Sequence, residues 1–240
     1  MSLFLNQEDG YYSLTTTGMI AFLIIMAVLV LLTAFFKKKE SANANDGHRV
    51  EGKTGSGSFS AKQLVFSAAA LALGFVTSYI KIIDMPWGGS VTLCSMLFVT
   101  LIGYWYGPKI GLTAGFAYGI LQFLQGGGNF ILSPIQVCMD YILAFASLGL
   151  SGFFSRKKNG LIKGYLTAII VRGLFHTIGG YLYWMEYMPE SFPQSISFLY
   201  PFAYNYSYLL IETIITIVIL ILPPVQNAMK RVKMLAAGEI

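Results

Sequence analysis

Long apolar stretches alternate with short polar, glycine- or proline-containing breaks along the chain. The first stretch runs from about Gly18 to Phe36 and is followed by three lysines. Six more follow, at about 61–80, 91–106, 109–125, 131–153, 162–184 and 199–222. A helix that crosses the hydrocarbon core needs about 20 apolar residues, and the stretches lack the alternation of barrel strands. Each stretch therefore predicts a membrane-spanning helix.

The polar segments divide the chain into four regions. Residues 1–39 are predicted to contain an accessory N-terminal transmembrane helix; Glu8 and Asp9 precede it, whereas a signal peptide begins with basic residues. Residues 40–60 are rich in Gly, Ser and Asn and predict a flexible cytoplasmic linker. Residues 61–226 predict a six-helix membrane domain, and residues 227–240 a basic cytoplasmic tail.

The composition of the 240 residues excludes most soluble globular folds. Hydrophobic residues make up 55% of the chain and charged residues only 11%, with a mean hydropathy of +0.64. A soluble domain carries about a quarter charged residues. The predicted fold class is therefore an all-α integral membrane protein that lies in a lipid bilayer.

The positions of the basic residues explain the net charge of +5. If the N-terminus lies outside the cell, every Lys and Arg except Lys81 and Arg172 falls on the cytoplasmic side. Cytoplasmic loops of membrane proteins carry such an excess of basic residues. The charge thus indicates topology, with the N-terminus outside and the C-terminus in the cytoplasm, and does not indicate a nucleic-acid partner.

Three charged residues, Asp140, Arg172 and Glu212, lie inside predicted spans. Each costs about 2.5–3.5 kcal/mol on insertion scales, and such residues commonly mark a functional site. The simplest alternative is a structural role, in which Arg172 pairs with Asp140 or Glu212 and holds the helices together.

A binding pocket is the second interpretation of Asp140. His176, Gly180 and Trp184 recur every four residues after Arg172, so they share one helix face. Further aromatic and polar residues lie near the predicted outer ends of the helices: Trp87, Phe130, Tyr200, Tyr204 and Asn205. A carboxylate among aromatic rings suits a flat organic cation, although interfacial Trp and Tyr also serve as membrane anchors.

Small residues form a stripe on the first helix of the predicted six-helix domain. Ala68 and Ala72 are four residues apart, as are Ala70 and Gly74. Such spacing lets helices approach closely in lipid. The stripe indicates either packing within the domain or an interface with a partner protein.

Sequence motifs of ATP hydrolysis, zinc proteases and serine hydrolases are absent. The two cysteines, Cys94 and Cys138, lie in apolar stretches and lack the spacing of a zinc site or a disulfide framework. We therefore expect no catalytic residue, cofactor or metal.

Residues 62–225 resemble the substrate-binding S component of energy-coupling factor (ECF) vitamin transporters, specifically the thiamine-specific ThiT/YuaJ family. The resemblance rests on the spacing of His176, Gly180 and Trp184, and on three further matches: Asp140-Tyr141 where the family has Glu-Tyr, Tyr200 with Asn205, and Trp87 in an outer loop. The sequence departs from the family at two positions, with Tyr118 in place of Trp and Phe130 in place of Tyr.

The resemblance implies a six-helix, vitamin-binding S-component core in a bacterial cell membrane, preceded here by one accessory helix. It implies that the protein is not an enzyme, and that it captures thiamine from outside and delivers it through a transmembrane coupling subunit and two ATPase subunits. Ala68 and Ala72 would contact the coupling subunit. The implied ligand-binding residues are Trp87, Tyr118, Phe130, Asp140, Tyr141, His176, Gly180, Trp184, Tyr200 and Asn205.

Three other functions stay open at the level of the sequence. The ligand could be another flat vitamin or precursor, such as hydroxymethylpyrimidine or a pyridoxine-like ring. A small intramembrane enzyme could use Asp140 and His176 as an acid–base pair. A structural subunit without a ligand is disfavoured, because a scaffold gains nothing from Asp and His inside the membrane.

Overall fold

The computed structural model describes residues 3–8, 11–21, 24 and 60–238, without the side chains of residues 7, 8, 11, 12 and 127. The chain divides into two compact units, residues 1–59 with 128–130 and residues 60–127 with 131–240. Most of the predicted first helix and nearly all of the linker 40–60 lie outside the described residues. Their predictions therefore stay predictions.

The first unit contains a short β-hairpin that the hydropathy pattern did not predict. Strand β1 (Leu5–Glu8) pairs antiparallel with β2 (Tyr11–Leu14), from Leu5 opposite Leu14 to Glu8 opposite Tyr11. Residues 16–21 are helical. The helix thus begins two residues before the predicted start at Gly18.

Helical segments lie at all six positions predicted for the second unit, and a seventh follows them. Their bounds are α1 Ala61–Ser78, α2 Ser95–Tyr106, α3 Pro108–Gln125, α4 Pro134–Phe154, α5 Gly160–Tyr187, α6 Gln194–Ile221 and α7 Pro223–Ala237. Of the described helices, α1, α4, α5 and α6 are long and apolar enough to cross a membrane, and α2 is shorter. The prediction of a helical membrane protein is confirmed, whereas the count of six core helices plus one accessory helix stays a prediction.

Two of these helices are irregular. In α4, a π-helical segment (Cys138–Leu143) follows the first α-helical turn (Pro134–Val137), and the helix ends in 3₁₀ geometry (Ser147–Phe154). In α5, a regular helix (Gly160–Gly179) passes into a π-helical segment, Gly180–Trp184. π-Helical turns are rare and concentrate at functional sites.

A second β-hairpin connects α1 to α2. Strand β3 (Lys81–Asp84) pairs antiparallel with β4 (Ser90–Thr92), with a register shift between Lys81 and Ile83. Trp87 lies in its turn. The end of the unit that carries this hairpin is called the hairpin end below.

Glu212 joins the hairpin and α2 to α6. Its carboxylate is 1% exposed and accepts hydrogen bonds from the backbone N–H and hydroxyl of Thr92, at 2.8 and 2.7 Å, and from the backbone N–H of Met96 at 3.3 Å. A carboxylate near the first N–H groups of a helix also favours the helix dipole. Glu212 therefore caps α2. The alternative that Arg172 pairs with Glu212 or Asp140 is not observed in the described part of the chain, because Arg172 donates to His176 instead.

The segment predicted as a basic tail, 227–240, is helical as far as Ala237. Helix α7 packs against the C-terminal end of α2. Its residue Ala236 is 3% exposed, and the Ala236 carbonyl accepts a hydrogen bond from the hydroxyl of Tyr106, the last residue of α2, at 3.3 Å. The proline pair Pro223-Pro224 stands at the first helical positions of α7, where proline costs no hydrogen bond. The chain therefore turns after α6 and returns across the end opposite to the hairpin.

Candidate functional site

Asp140 is the centre of a buried polar cluster at the hairpin end. Its Oδ2 accepts hydrogen bonds from Gln136 Nε2 at 2.8 Å and from the Trp184 indole N–H at 3.3 Å, and its Oδ1 lies 3.3 Å from His176 Nδ1. Asp140 is 9% exposed. An ionised carboxylate offers about four acceptor positions, so three protein donors leave about one position for the N–H of a ligand.

Close packing of α5 on α4 brings these groups together. Asp140 belongs to the π-helical segment of α4, and Trp184 ends the π-helical segment of α5. A Cβ atom on Gly179 would lie 2.8 Å from Asp140 Oδ1. Glycine at this position therefore allows the carboxylate to reach the surface of α5.

Arg172 fixes the orientation of the His176 ring. Its Nε–H donates to His176 Nε2 at 3.3 Å, and its guanidinium lies 3.9 Å from the centre of the Phe145 ring. Because Nε2 accepts this bond, Nδ1 carries the ring proton and donates to Asp140. The hydrogen bonds thus run from Arg172 through the His176 ring to the Asp140 carboxylate.

Asn205 connects α6 to the same cluster. Its side-chain amide donates to the His176 carbonyl at 3.2 Å and to the Pro201 carbonyl at 2.8 Å, and it accepts from the Tyr208 hydroxyl at 3.0 Å. A Cβ atom on Gly180 would lie 2.7 Å from Pro201 Cβ. The space beside Gly180 is therefore filled by α6, so this glycine allows helices to pack and does not by itself leave room for a ligand.

A chain of aromatic rings leads from the cluster to the hairpin. The Trp184 ring centre lies 5.4 Å from that of Tyr187, which lies 5.1 Å from that of Trp87. Trp87 is 38% exposed. These separations and tilted orientations are those of favourable aromatic pairs, and the rings form an apolar wall beside the carboxylate.

Tyr204 fixes the hairpin turn to α6. Its hydroxyl accepts a hydrogen bond from the backbone N–H of Trp87 at 3.1 Å and donates to the Gly88 carbonyl at 3.0 Å. A Cβ atom on Gly89 would lie 2.7 Å from the Tyr208 ring. The turn therefore lies directly against α6, and the hydroxyl of Tyr204 sets the position of Trp87.

The Tyr204→Phe variant is expected to bind its ligand about tenfold more weakly, because two hydrogen bonds of about 1 kcal/mol each position the turn. The measurement is a ligand titration together with limited proteolysis in the hairpin, which should become faster. Tyr206→Phe is the matched control, since its hydroxyl donates to Ile170 and not to the hairpin. Equal affinity and equal proteolysis in both variants would contradict the role of Tyr204.

Three of the remaining predicted site residues, Tyr118, Tyr141 and Tyr200, pack against other aromatic rings of the second unit. Tyr141 packs between Phe123 and Phe145, and Tyr200 lies 5.7 Å from Tyr204 between ring centres. Tyr118 is fully buried and donates to the Gly74 carbonyl at 2.9 Å, so it belongs to the packing of α1 on α3. Phe130 belongs to the first unit, and its part in the site stays a prediction.

Sequence reasoning did not count three residues of this arrangement among the site residues. Gln136 is 1% exposed and donates to Asp140; its spacing of four residues from Asp140 was the available signal. Tyr187 and Tyr208 stand three residues after Trp184 and Asn205. Their spacing was visible in the sequence, but tyrosines are common near membrane interfaces and carried no distinct signal.

The small-residue stripe of α1 divides between two faces. Ala70 and Gly74 are buried, and a Cβ on Gly74 would lie 3.2 Å from the Ser95 carbonyl oxygen. Ala68 and Ala72 are exposed, beside exposed Leu64 and Val65. The first pair thus packs inside the unit, and the second pair leaves an apolar face of small residues on its surface.

Sequence and structure comparisons agree on one family. The sequence model of the thiamine transporter protein family (Thia_YuaJ) matches residues 64–232. The thiamine transporter ThiT of Bacillus subtilis is 33% identical over 142 residues, which cover 54% of this chain and 72% of that protein. The thiamine transporter ThiT of Lacticaseibacillus paracasei is 28% identical over 172 residues, covering 65% and 81%.

A solved structure of ThiT from Listeria monocytogenes superposes with a TM-score of 0.53 at 27% identity, covering 68% of this chain and 94% of that one. Residues 64–232, which the family model matches, include the Asp140 cluster. Membership of a transporter family also confirms that the protein is not an enzyme, and the apolar helices make it a multi-pass protein of the cell membrane. The chain belongs to the thiamine transporter protein family.

Proposed function

We propose that the protein binds thiamine at the Asp140 cluster and serves as the S component of an ECF importer. The observation that carries the proposal is the buried Asp140 carboxylate with about one acceptor position left, beside a wall of aromatic rings. Thiamine combines a permanent thiazolium cation with a flat aminopyrimidine that donates hydrogen bonds. Both parts match the chemistry of this cluster.

Each group has a distinct task in this proposal. Asp140 supplies the negative charge, or accepts the aminopyrimidine amine, in a site where burial strengthens the electrostatic attraction. The rings of Trp87, His176 and Trp184 stack on the ligand and attract its cation. Asn205 adds polar recognition, and Tyr141 and Tyr200 add ring contacts or hydrogen bonds.

Transport in this proposal requires partner subunits. The chain lacks an ATP-hydrolysis motif, so two ATPase subunits and a transmembrane coupling subunit supply the driving force. The exposed face around Ala68 and Ala72 suits the coupling subunit, because small residues allow close helix contact in lipid. The basic residues favour a cytoplasmic C-terminus and an outward-facing hairpin end.

Intrinsic fluorescence tests the ligand. Titration of the detergent-purified protein with thiamine should quench tryptophan emission saturably at nanomolar to low micromolar concentration, because Trp87 and Trp184 flank the site. The Trp184→Phe variant should lose most of the quenching, whereas Trp105→Phe, which changes the tryptophan near the opposite end of α2, should retain it.

Pyridoxine and hydroxymethylpyrimidine form the second arm of this titration. Saturable quenching by either one at lower concentration than thiamine would reassign the vitamin and keep the site. The absence of any response in folded protein would overturn the thiamine assignment.

A further inference from the structure

The end of the second unit opposite to the hairpin is strongly basic. Its exposed or partly exposed cationic residues are Lys62, Lys109, Arg156, Lys157, Lys158, Lys163, Lys230, Arg231 and Lys233. In the described residues of this unit the acidic groups are Asp84, Asp140, Glu186, Glu190 and Glu212, which lie at the hairpin end or are buried. This end, called the basic end below, therefore carries uncompensated positive charge over the described part of the chain.

Helix α7 lies next to basic residues of the α4–α5 turn and of α1. Lys233 Nζ donates to the Ser155 carbonyl at 3.0 Å and lies 4.2 Å from the centre of the Tyr104 ring. That contact places α7 beside the turn that holds Arg156, Lys157 and Lys158. Beyond the end of α7, a Cβ on Gly238 would lie 3.4 Å from Lys62 Nζ, so α1 reaches the same level.

The exposed side of α7 is amphipathic. Lys230 and Arg231 are exposed, and so is Leu235, at 43%, one turn after Arg231. Leu222, directly before the helix, is 47% exposed. A helix that shows basic and apolar side chains together is typical of the boundary between headgroups and acyl chains.

The distribution of the charges favours lipid over a protein partner. The basic residues come from the first turns of α1, α3 and α5, from the α4–α5 turn and from α7, so they surround the ends of several apolar helices. A docked protein would require a single patch with complementary shape. A ring of cations at the ends of membrane helices instead matches the phosphates of a surrounding leaflet.

We propose that the basic end, with α7 as its central element, binds the phosphate headgroups of anionic phospholipids preferentially over zwitterionic ones. Each Lys or Arg near an anionic surface strengthens the attraction about fivefold at moderate salt. The proposal does not depend on the vitamin that the Asp140 cluster binds.

Trp105 provides a reporter inside this end. It is the second-last residue of α2 and is partly exposed, next to Tyr106, which contacts α7. In the full chain with Trp87→Phe and Trp184→Phe, Trp105 is the remaining tryptophan. Its quenching by brominated phosphatidylglycerol and by brominated phosphatidylcholine, in bilayers of matched composition, measures the relative affinity of the two lipids.

Phosphatidylglycerol is expected to quench Trp105 with a relative affinity about fivefold or more above phosphatidylcholine. The preference should fall several-fold when Arg156→Gln, Lys230→Gln and Arg231→Gln are combined, and should fall towards one when NaCl approaches about 1 M. Lys81→Gln is the matched control, because Lys81 is exposed at the hairpin end, and it should keep the preference. Circular dichroism confirms that each variant is folded.

Two results would overturn the proposal. Equal quenching by the two lipids in the parent protein is one, and a preference that the triple substitution leaves unchanged is the other. A third pattern would identify a protein contact instead. If the two lipids quench equally in both the parent and the triple variant, but the triple variant fails to assemble with coupling and ATPase subunits, the basic end binds a protein and the lipid proposal is wrong.

Discussion

The Asp140→Asn variant is expected to bind thiamine about a hundredfold more weakly or worse. Removing one member of a buried, hydrogen-bonded charge pair costs about 2–5 kcal/mol, and the substitution removes the charge that would attract the thiazolium ring. Asparagine also turns an N–H group towards a donor, since Gln136 and Trp184 donate to one oxygen and His176 faces the other. The remaining fit to the ligand should therefore deteriorate as well.

Comparison of a cationic and a neutral ligand separates charge from shape. Calorimetric titration with thiamine should show the full loss, whereas binding of the uncharged hydroxymethylpyrimidine ring, which can lose only the hydrogen bond of its amine, should weaken less. Asp140→Glu keeps the charge and should retain most of the affinity. Glu212→Gln is the matched control: it neutralises another buried carboxylate, which caps α2, and should change stability more than thiamine affinity.

An Asp140→Asn protein that binds thiamine within about threefold of the parent would contradict the role of the carboxylate. The cluster would then be a structural network of the three helices. Chemical denaturation of the ligand-free protein distinguishes the two cases, because a structural network predicts a large loss of stability without thiamine.

Helix positions in this chain were predictable from the sequence because the helices are surrounded by lipid. Lipid requires both apolar side chains and internally satisfied backbone groups over some twenty residues, so hydropathy alone places α1 to α6. The strands β3 and β4 escaped prediction, because residues 81–92 combine Asp84, Pro86 and a glycine pair, a composition typical of turns. Pairing across a short turn depends on contacts with α6 that no local pattern contains.

The site was predictable in its chemistry and less so in its geometry. Asp140, His176 and Trp184 lie within hydrogen-bond distance, as an intramembrane carboxylate facing a helix with His and Trp suggested. The expected face through Gly180 assumed a regular helix, but the chain enters a π-helical turn at that residue. His176 and Trp184 both reach Asp140, whereas a Cβ on Gly180 would lie 2.7 Å from Pro201 Cβ, so Gly180 meets α6 instead of the pocket.

The glycines shared by α3 and α4 lead to the second large effect, on folding. The Gly149→Ala variant is expected to lose stable folded protein, because a Cβ on Gly149 would overlap the backbone carbon of Gly111 and the backbone nitrogen of Leu112. A Cβ on Gly111 would in turn lie 2.8 Å from the Gly149 Cα. Backbone atoms of two packed helices cannot move aside as a side chain end can, so α3 and α4 must separate.

Overpacking of a well-packed core costs about 1–3 kcal/mol, and occasionally more, and this contact lies at the upper end because both sides are main chain. Size-exclusion chromatography and thermal unfolding of detergent extracts measure the effect. A loss of about 3 kcal/mol lowers the unfolding midpoint by roughly 6–12 °C in a chain of this size. Gly126→Ala is the matched control, since a Cβ there meets nothing within 4 Å and its φ is −159°.

If Gly149→Ala were as stable as Gly126→Ala, α3 and α4 would not be in main-chain contact. That result would also affect the binding site, because the same interface continues along α3, where a Cβ on Gly115 or Gly119 would overlap the carbonyl oxygen of Phe145 or Tyr141. Tyr141 directly follows Asp140 in the chain. The separation of α3 and α4 therefore sets the depth of the carboxylate in the helix bundle, and a wider separation would expose it to water and weaken its attraction for a cation.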